Sequence, residues 1–303
     1  MDDGVAIGVD VGGTKVAFVV MDRGGAVLAE RRLLNDAFAD PGELLGAIAQ
    51  EAGQLSSAAP SSIEGVGVGI CELVGPDGEI GSSTTFAWTR AQLEDALSPL
   101  GPLTVDADVY AAARAEATFG AGKSYPTFGY VTVGTGISSS FVHDGEVWIG
   151  AHGAAQLLGS SEVALPCPHC GQTVDLSLED VASGRGIVGR YREHGSRDVR
   201  GAHDVIAAAD AGDEIAAAII TDATRTLGSF LALFINLFDP HALVLGGGLW
   251  AGPEGFRERA VDAARSRIWA PAARETPILV GALGGKAGAI GAAWSVLAGA
   301  RAG

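Results

Sequence analysis

From residue 5 to residue 20 the chain is apolar and largely β-branched, and the run is cut once, at Gly12-Gly13-Thr14. Such residues suit a pleated, buried surface, so residues 5–11 and 15–20 predict two strands joined by a tight turn. A third strand is expected over residues 26–32. Residues 41–55 open with proline and then carry apolar positions at helical spacing, which predicts a helix. The run GVGVGIC at residues 65–71 predicts a buried strand. Residues 103–105 predict a short strand that leads into a helix through Ala111-Ala112-Ala113, ending near Gly120.

The pattern then starts again. Residues 130–150, YVTVGTGISSSFVHDGEVWIG, read as strand, Gly-rich turn, strand, turn and strand, with Gly134 in the place Gly12 holds in the first half. This predicts an internal duplication at domain scale, each half beginning with a Gly-turn hairpin. Helices are expected at 178–184, 214–238 and 255–268. A β-rich run at 242–245 ends in Gly246-Gly247-Gly248, and a last helix rich in Ala and Gly covers 286–297. Alternating β and α segments imply mixed or mainly parallel sheets covered by helices. The expected fold class is therefore α/β, with two α/β domains and an interdomain cleft.

Composition narrows the function. The chain has 303 residues and a net charge of −16, which disfavours a nucleic-acid partner, because phosphate backbones are bound mainly through Lys and Arg. No apolar run is expected to reach the roughly 20 residues that span a bilayer, so no membrane partner is expected. The start, MDDG, is unlike a secretory signal, and the expected location is cytoplasmic. Three cysteines cannot build a disulfide framework.

The 45 glycines gather at a few points between apolar segments, and two of those points suggest chemistry. A Gly turn after a strand lets backbone N–H groups approach an anion, which is a common way of holding phosphate. The first turn, Gly12-Gly13, adds Asp10, Thr14 and Lys15. The second, Gly134-Thr135-Gly136, adds a hydroxyl. Either alone is equally well a plain hairpin turn, but two in matching positions of a duplicated fold point to a nucleotide. A third contact is expected at Gly246-Gly247-Gly248. The pattern is neither a Walker loop nor a Rossmann fingerprint.

The stretches DVGGTK from Asp10, DVYAAARAEATFGAG from Asp108, VGTG, VASG, NLFDPHALVLGGGL and AGAIGAAW, in that order along nearly the whole chain, resemble the ROK family of sugar kinases, within the actin-like ATPase superfamily. The resemblance implies an N-terminal lobe of residues 1–115 rejoined by 285–303, a C-terminal lobe of 116–284, ATP bound in the cleft, Mg²⁺ positioned by Asp10, and a homodimer. Thr14 and Thr135 would hydrogen-bond the phosphates. Some family members are repressors with a helix-turn-helix domain ahead of this motif; its position at Asp10 favours the kinase branch. The catalytic base implied by the resemblance is Asp108, with Asp106 as the competitor. A carboxylate at a strand-to-helix junction can accept a hydroxyl proton during phosphoryl transfer, although Asp there also serves as an N-cap.

Departures from the family cluster on the acceptor side. Ala107 replaces the Asn before the base, Cys71-Glu72 replaces Pro-Gly, and Thr85 replaces a loop Asn. Two sugar-holding positions, a Glu and a His, become Leu157 and Ser160. Glu179 remains as the expected hydroxyl acceptor, and Glu72 is either a new acceptor or counter-ion for an amine, or a solvated loop acid. An unpaired buried hydroxyl costs ~1–3 kcal/mol, so an ordinary glucose-like acceptor is disfavoured. A modified sugar (amino or deoxy) or a cyclitol is expected. The alternatives are a non-catalytic sugar- or nucleotide-binding regulator and a glucokinase with a rearranged pocket. A structural Zn²⁺ is doubtful, because Cys167 and Cys170 give two ligands where a closed site needs four, and His169, His152 or an acid would have to complete it.

Overall fold

The computed structural model describes residues 4–166, 171–194, 198–252 and 254–299. The chain begins β1 (Val5–Val11), β2 (Lys15–Asp22), β3 (Val27–Leu34), α1 (Pro41–Ala58), β4 (Ile63–Ile70), α2 (Arg90–Leu97), β5 (Leu103–Ala107) and α3 (Asp108–Phe119). It continues with β6 (Thr127–Val133), β7 (Ile137–His143), β8 (Glu146–Val147), β9 (Glu162–Pro166), β10 (Thr173–Ser177), α4 (Leu178–Ala182), α5 (Gly184–His194), α6 (Ala202–Asp210) and α7 (Glu214–Phe238). It closes with β11 (Ala242–Gly246), α8 (Gly248–Ala251), α9 (Glu254–Arg265), β12 (Ile278–Val280) and α10 (Ala287–Gly299). By contacts the chain forms two compact units, one of residues 1–124, 142–155 and 285–303, the other of 125–141 and 156–284.

In the first unit β1, β2 and β3 pair antiparallel, and β4 and β5 add in parallel on the far side of β1, giving the order β3-β2-β1-β4-β5. β1 and β4 are almost wholly buried, which is why they read as unbroken apolar runs, whereas the edge strand β3 is largely exposed. α10 lies on this sheet and on α3 at backbone distance. A Cβ on Gly8 would come within 1.8 Å of the Ala289 carbonyl oxygen, one on Gly67 within 1.9 Å of that of Ala292, and one on Gly291 within 1.7 Å of that of Ala111. The small residues of α10 are thus a packing requirement.

The second sheet has the order β12-β11-β6-β7-β8. Counted from its first strand, β6, it repeats the connectivity of the first sheet, as the paired Gly-cut hairpins lead one to expect. Its core includes Val131, Val133, Leu243 and Leu245 from the strands, with Leu227, Leu231 and Phe234 from α7. α7 corrects one expectation, since by length and composition it could cross a bilayer. Its apolar side is instead buried, packing chiefly on α9 and α6. The helix expected over 178–184 ends at Ala182, Ser183 is extended (φ −75°, ψ 166°), and a further helix that the sequence reading lacks, α5, starts at Gly184. α2, α6 and the β9–β10 hairpin lack a strong periodic signal. α2 does carry a capping box, Thr89 with Gln92. Cys167, His169 and Cys170, which bear on the zinc expectation, lie outside the described residues.

Candidate active site

β1 carries Asp10 one residue before its end, opposite Ala17 on β2 and Gly69 on β4. Its carboxylate rests against the first turn of α10, where a Cβ on Gly288 would lie 2.5 Å from its Cγ. Burial, partly offset by Lys15, raises this carboxyl from 3.8 to about 6. The turn that follows is closed by Gly12 N–H donating to the Lys15 carbonyl (3.0 Å). Asn35 props it from outside: its side-chain amide donates to the Gly12 carbonyl (2.9 Å) and its backbone N–H to that of Thr14 (3.0 Å). Sequence reasoning missed Asn35, which lies beyond β3 and carries no motif.

The second turn is braced differently. Gly134 N–H donates to the Gly136 carbonyl (2.9 Å), while the N–H groups of Gly184 and Arg185, at the start of α5, donate to the carbonyls of Gly134 (2.8 Å) and Thr135 (3.2 Å). Glu179 completes the brace. One of its oxygens accepts from Ile137 N–H (2.8 Å) and the other pairs with Arg185 (2.5 Å). Glu179 was expected to hold an acceptor hydroxyl; the structure engages both its oxygens in supporting the Gly turn.

The Gly positions differ in why they are Gly. Gly247 has φ 90°, and a Cβ there would meet the Val133 carbonyl oxygen at 2.4 Å, while one on Gly246 would meet the Tyr130 hydroxyl at 2.1 Å. Those two are required by the fold. Gly13 and Gly134 have no positive φ, and a Cβ on Gly134 would meet nothing within 4 Å. Nothing inside the protein demands glycine at these two positions, which is what a backbone kept bare for an external anion looks like, whereas a Cβ on Gly136 would lie 2.5 Å from a Glu179 carboxylate oxygen. Gly248 is open in the same way.

Asp108 is the first residue of α3, with Ala107 in the cap position, so it is not the N-cap. Its Oδ1 accepts from Val109 N–H (2.6 Å). Gly69 on β4 admits this helix start, since a Cβ there would lie 3.3 Å from the Asp108 Cα. Burial, and after it the charges of Asp10, Asp106 and Glu72, raise the Asp108 carboxyl from 3.8 to about 7 against the pull of the Val109 N–H. Asp106 is otherwise occupied, with one oxygen on Arg114 (2.7 Å) and the other on Ala107 N–H (2.9 Å).

On the acceptor side, Cys71 follows β4, and burial, then Asp108, push its thiol up to about 12, so it is uncharged at neutral pH. The Thr85 side chain beside it pulls the other way. Glu72 is only 5% exposed, which corrects the reading as a solvated acid. It accepts from Ser82 and Thr84 hydroxyls and from Thr84, Thr85 and Phe86 N–H groups, more donors than the roughly four lone-pair sites of a carboxylate, so it has no room for a substrate amine. Tyr110, two residues after Asp108, donates to the carbonyls of Gly153 and Ala155 (3.3 Å each). The next residue, Gln156, is left-handed at φ 58°, and both polar atoms of its amide are buried without a partner. Leu157 is 47% exposed, and the exposed Ser160 donates to its carbonyl.

Two α/β units of one connectivity, each with a braced and bare Gly turn, define an actin-like ATPase fold, and solved structures bear this out. A ROK family glucokinase from Streptomyces griseus, determined with glucose and AMPPNP, superposes with a TM-score of 0.80 at 27% identity, covering 96% of this chain and 99% of its own. A ROK hexokinase from Thermus thermophilus gives 0.79 at 29% identity over 99% and 100%. A glucokinase from Halalkalibacterium halodurans is 28% identical over 98% of this chain and 96% of its own length. The chain belongs to the ROK family, which it matches over residues 6–298.

Proposed function

We propose that this chain is a sugar kinase that moves the γ-phosphoryl group of ATP to a hydroxyl of a sugar-like polyol, with Asp108 as general base. The observation that carries the reading is Asp108 itself. It is a carboxyl at a helix start, without an ion pair among the described residues, raised to about 7 beside Asp10, while its neighbour Asp106 is tied to Arg114. A base that titrates near working pH combines the right protonation state with useful driving force. In the step, Asp108 takes the acceptor's hydroxyl proton, the new O–P bond forms, and the bond from the γ-phosphorus to its bridging oxygen breaks to release ADP.

The nucleotide's phosphates are assigned to the turns Gly12-Gly13 and Gly134-Thr135-Gly136, in which the N–H groups of Gly12 and Gly134 close the turns themselves, with Thr14, Thr135 and Lys15 contributing side chains and Gly248 an open backbone contact. Mg²⁺ fits this donor set. The described residues contain no group of three or more His, Cys, Asp or Glu that would form a cage, and Mg²⁺ in such sites is held by one or two carboxylates and the phosphates themselves. Asp10 is the carboxylate for it, and the ion, when bound, would neutralise charge on the phosphates.

The acceptor is assigned as a modified sugar, amino or deoxy, or a cyclitol. Leu157 has no polar atom with which to hold a hydroxyl, and Ser160 already donates to the backbone. The glucokinases among the relatives favour glucose as the second reading. A screen of ADP release over hexoses, amino sugars, deoxy sugars and cyclitols decides between them. The expected result is turnover on a modified polyol that falls by about 10²–10⁴-fold in Asp108→Asn. Fastest turnover of glucose would replace the acceptor assignment, and binding without ADP formation would point to a regulator.

A further inference from the structure

Glu72 is a buried acid with five hydrogen-bond donors and no basic partner among the described residues. All five donors belong to residues 82–86, a segment with no helix or strand. Its Oε1 accepts the N–H groups of Thr85 (2.5 Å) and Phe86 (2.8 Å), and its Oε2 the N–H and hydroxyl of Thr84 (2.9 Å each) and the hydroxyl of Ser82. Buried N–H groups normally find partners in regular secondary structure. Here one side chain collects three consecutive ones and so dictates the path of the loop. Ser82 closes a second link, accepting from Leu73 N–H (2.8 Å).

The path has two consequences. Phe86 and Trp88 turn inward and stack, with ring centroids 4.5 Å apart and planes at 17°. Thr85 is left outward on the loop, its methyl 3.8 Å from where a side chain on Gly13 would begin and its side chain beside Cys71. The loop therefore lies over the first Gly turn and beside the thiol that neighbours Asp108.

We infer that Glu72 is a positioning residue for the phosphoryl acceptor: by clamping residues 82–86 it holds Thr85 and Cys71 in the wall beside Asp108, and so sets acceptor affinity without touching the acceptor. This rests on Asp108 being the base of a kinase. The carboxylate cannot be replaced by an amide of the same shape. Each of its oxygens receives at least one backbone N–H, and the NH₂ of Gln is a donor only.

The test is Glu72→Gln, read by titration calorimetry with glucose, glucosamine, 2-deoxyglucose and myo-inositol, and by the split between acceptor and nucleotide KM. The expected result is a Kd at least tenfold weaker for the tightest of the four, with the nucleotide KM within twofold of the unsubstituted protein. The acid limb of kcat/KM is also expected to move to lower pH. Of the acids that face Asp108, Asp10 from β1 and Asp106 from β5 would remain and Glu72 would be gone, with Lys15 the cation nearest Asp10. A folded Glu72→Gln protein with unchanged acceptor Kd and unchanged acid limb overturns the inference. Should that variant not fold, Ser82→Ala decides: it removes one donor of five, and a selective few-fold loss of acceptor affinity supports the clamp whereas none overturns it. Full turnover in Asp108→Asn would remove the kinase reading instead, and the calorimetric comparison would still judge Glu72.

Discussion

Asp108 holds its proton to about pH 7, whereas an aspartate in the unfolded chain releases it near 3.8. Between those values the folded state binds more protons, so stability contributed by this group is present at low pH and is lost as pH rises through 7. The carboxyl proposed as the base is thus a stability cost at neutral pH. Asp108→Asn should be more stable than the unsubstituted protein at pH 8, by up to about 4 kcal/mol, and the gap should close near pH 4; urea unfolding at the two pH values measures it. Gln156 is a second costly residue. Replacing it by Gly removes a left-handed side chain and two buried, unpaired amide atoms, each worth ~1–3 kcal/mol, against the ~0.4–1 kcal/mol that Gly adds to unfolded-chain entropy. The burial terms win, so Gln156→Gly should raise the melting temperature, and a lower one would show that the amide is satisfied in solution. Asp108 could be picked out as a candidate from the sequence because its whole helix matches a family motif in register. Glu72 was legible only as a departure, since its five donors come from a segment with no periodicity, and hydrogen bonds to an irregular loop leave no pattern to read.

At the scale of elements, the hairpins β1–β2 and β6–β7 were plain from sequence, because a Gly cut in a β-branched run admits few other readings. What braces each turn was not. Asn35 reaches the first from beyond β3, and Glu179 with the start of α5 holds the second, contacts set by tertiary position. The break at Ser183 that frees the N–H groups of Gly184 and Arg185 for this purpose was read as continuous helix. The contact between α10 and α3 is the most exacting in the first unit, since a Cβ on Gly291 would sit 1.7 Å from a backbone carbonyl that cannot swing aside. Gly291→Ala should therefore cost about 3 kcal/mol or more, as overpacking at the upper end of its range does, and should lower activity by displacing the helix that begins at Asp108. Denaturant unfolding and kcat of the soluble fraction test both parts; an unfolding free energy within about 0.5 kcal/mol of the parent would mean that the helix shifts freely.

Across the whole molecule, a net charge of −16 and a site for polyphosphate coexist because one is an average and the other is local. The Gly turns proposed to hold the phosphates would act on an anion at short range, whereas a duplex meets the summed surface. The protein should give no shifted band with a 30-bp DNA duplex at about 10 μM and 0.15 M salt, where common non-specific binders already associate. A discrete complex under those conditions would show a basic surface that composition hides. The repeat of one connectivity in two sheets was legible as a recurring Gly-cut pattern, but the discontinuous make-up of the first unit, drawn from three stretches of chain, was only partly so.

That discontinuity has a consequence for how the protein is made. β1 begins at Val5, yet the helix that covers it, α10, begins only at Ala287. At roughly 5–20 residues per second, about 15–55 seconds separate the two. For that interval the second unit can complete itself while the glycine-lined face of the first sheet stays open to water and to other nascent chains.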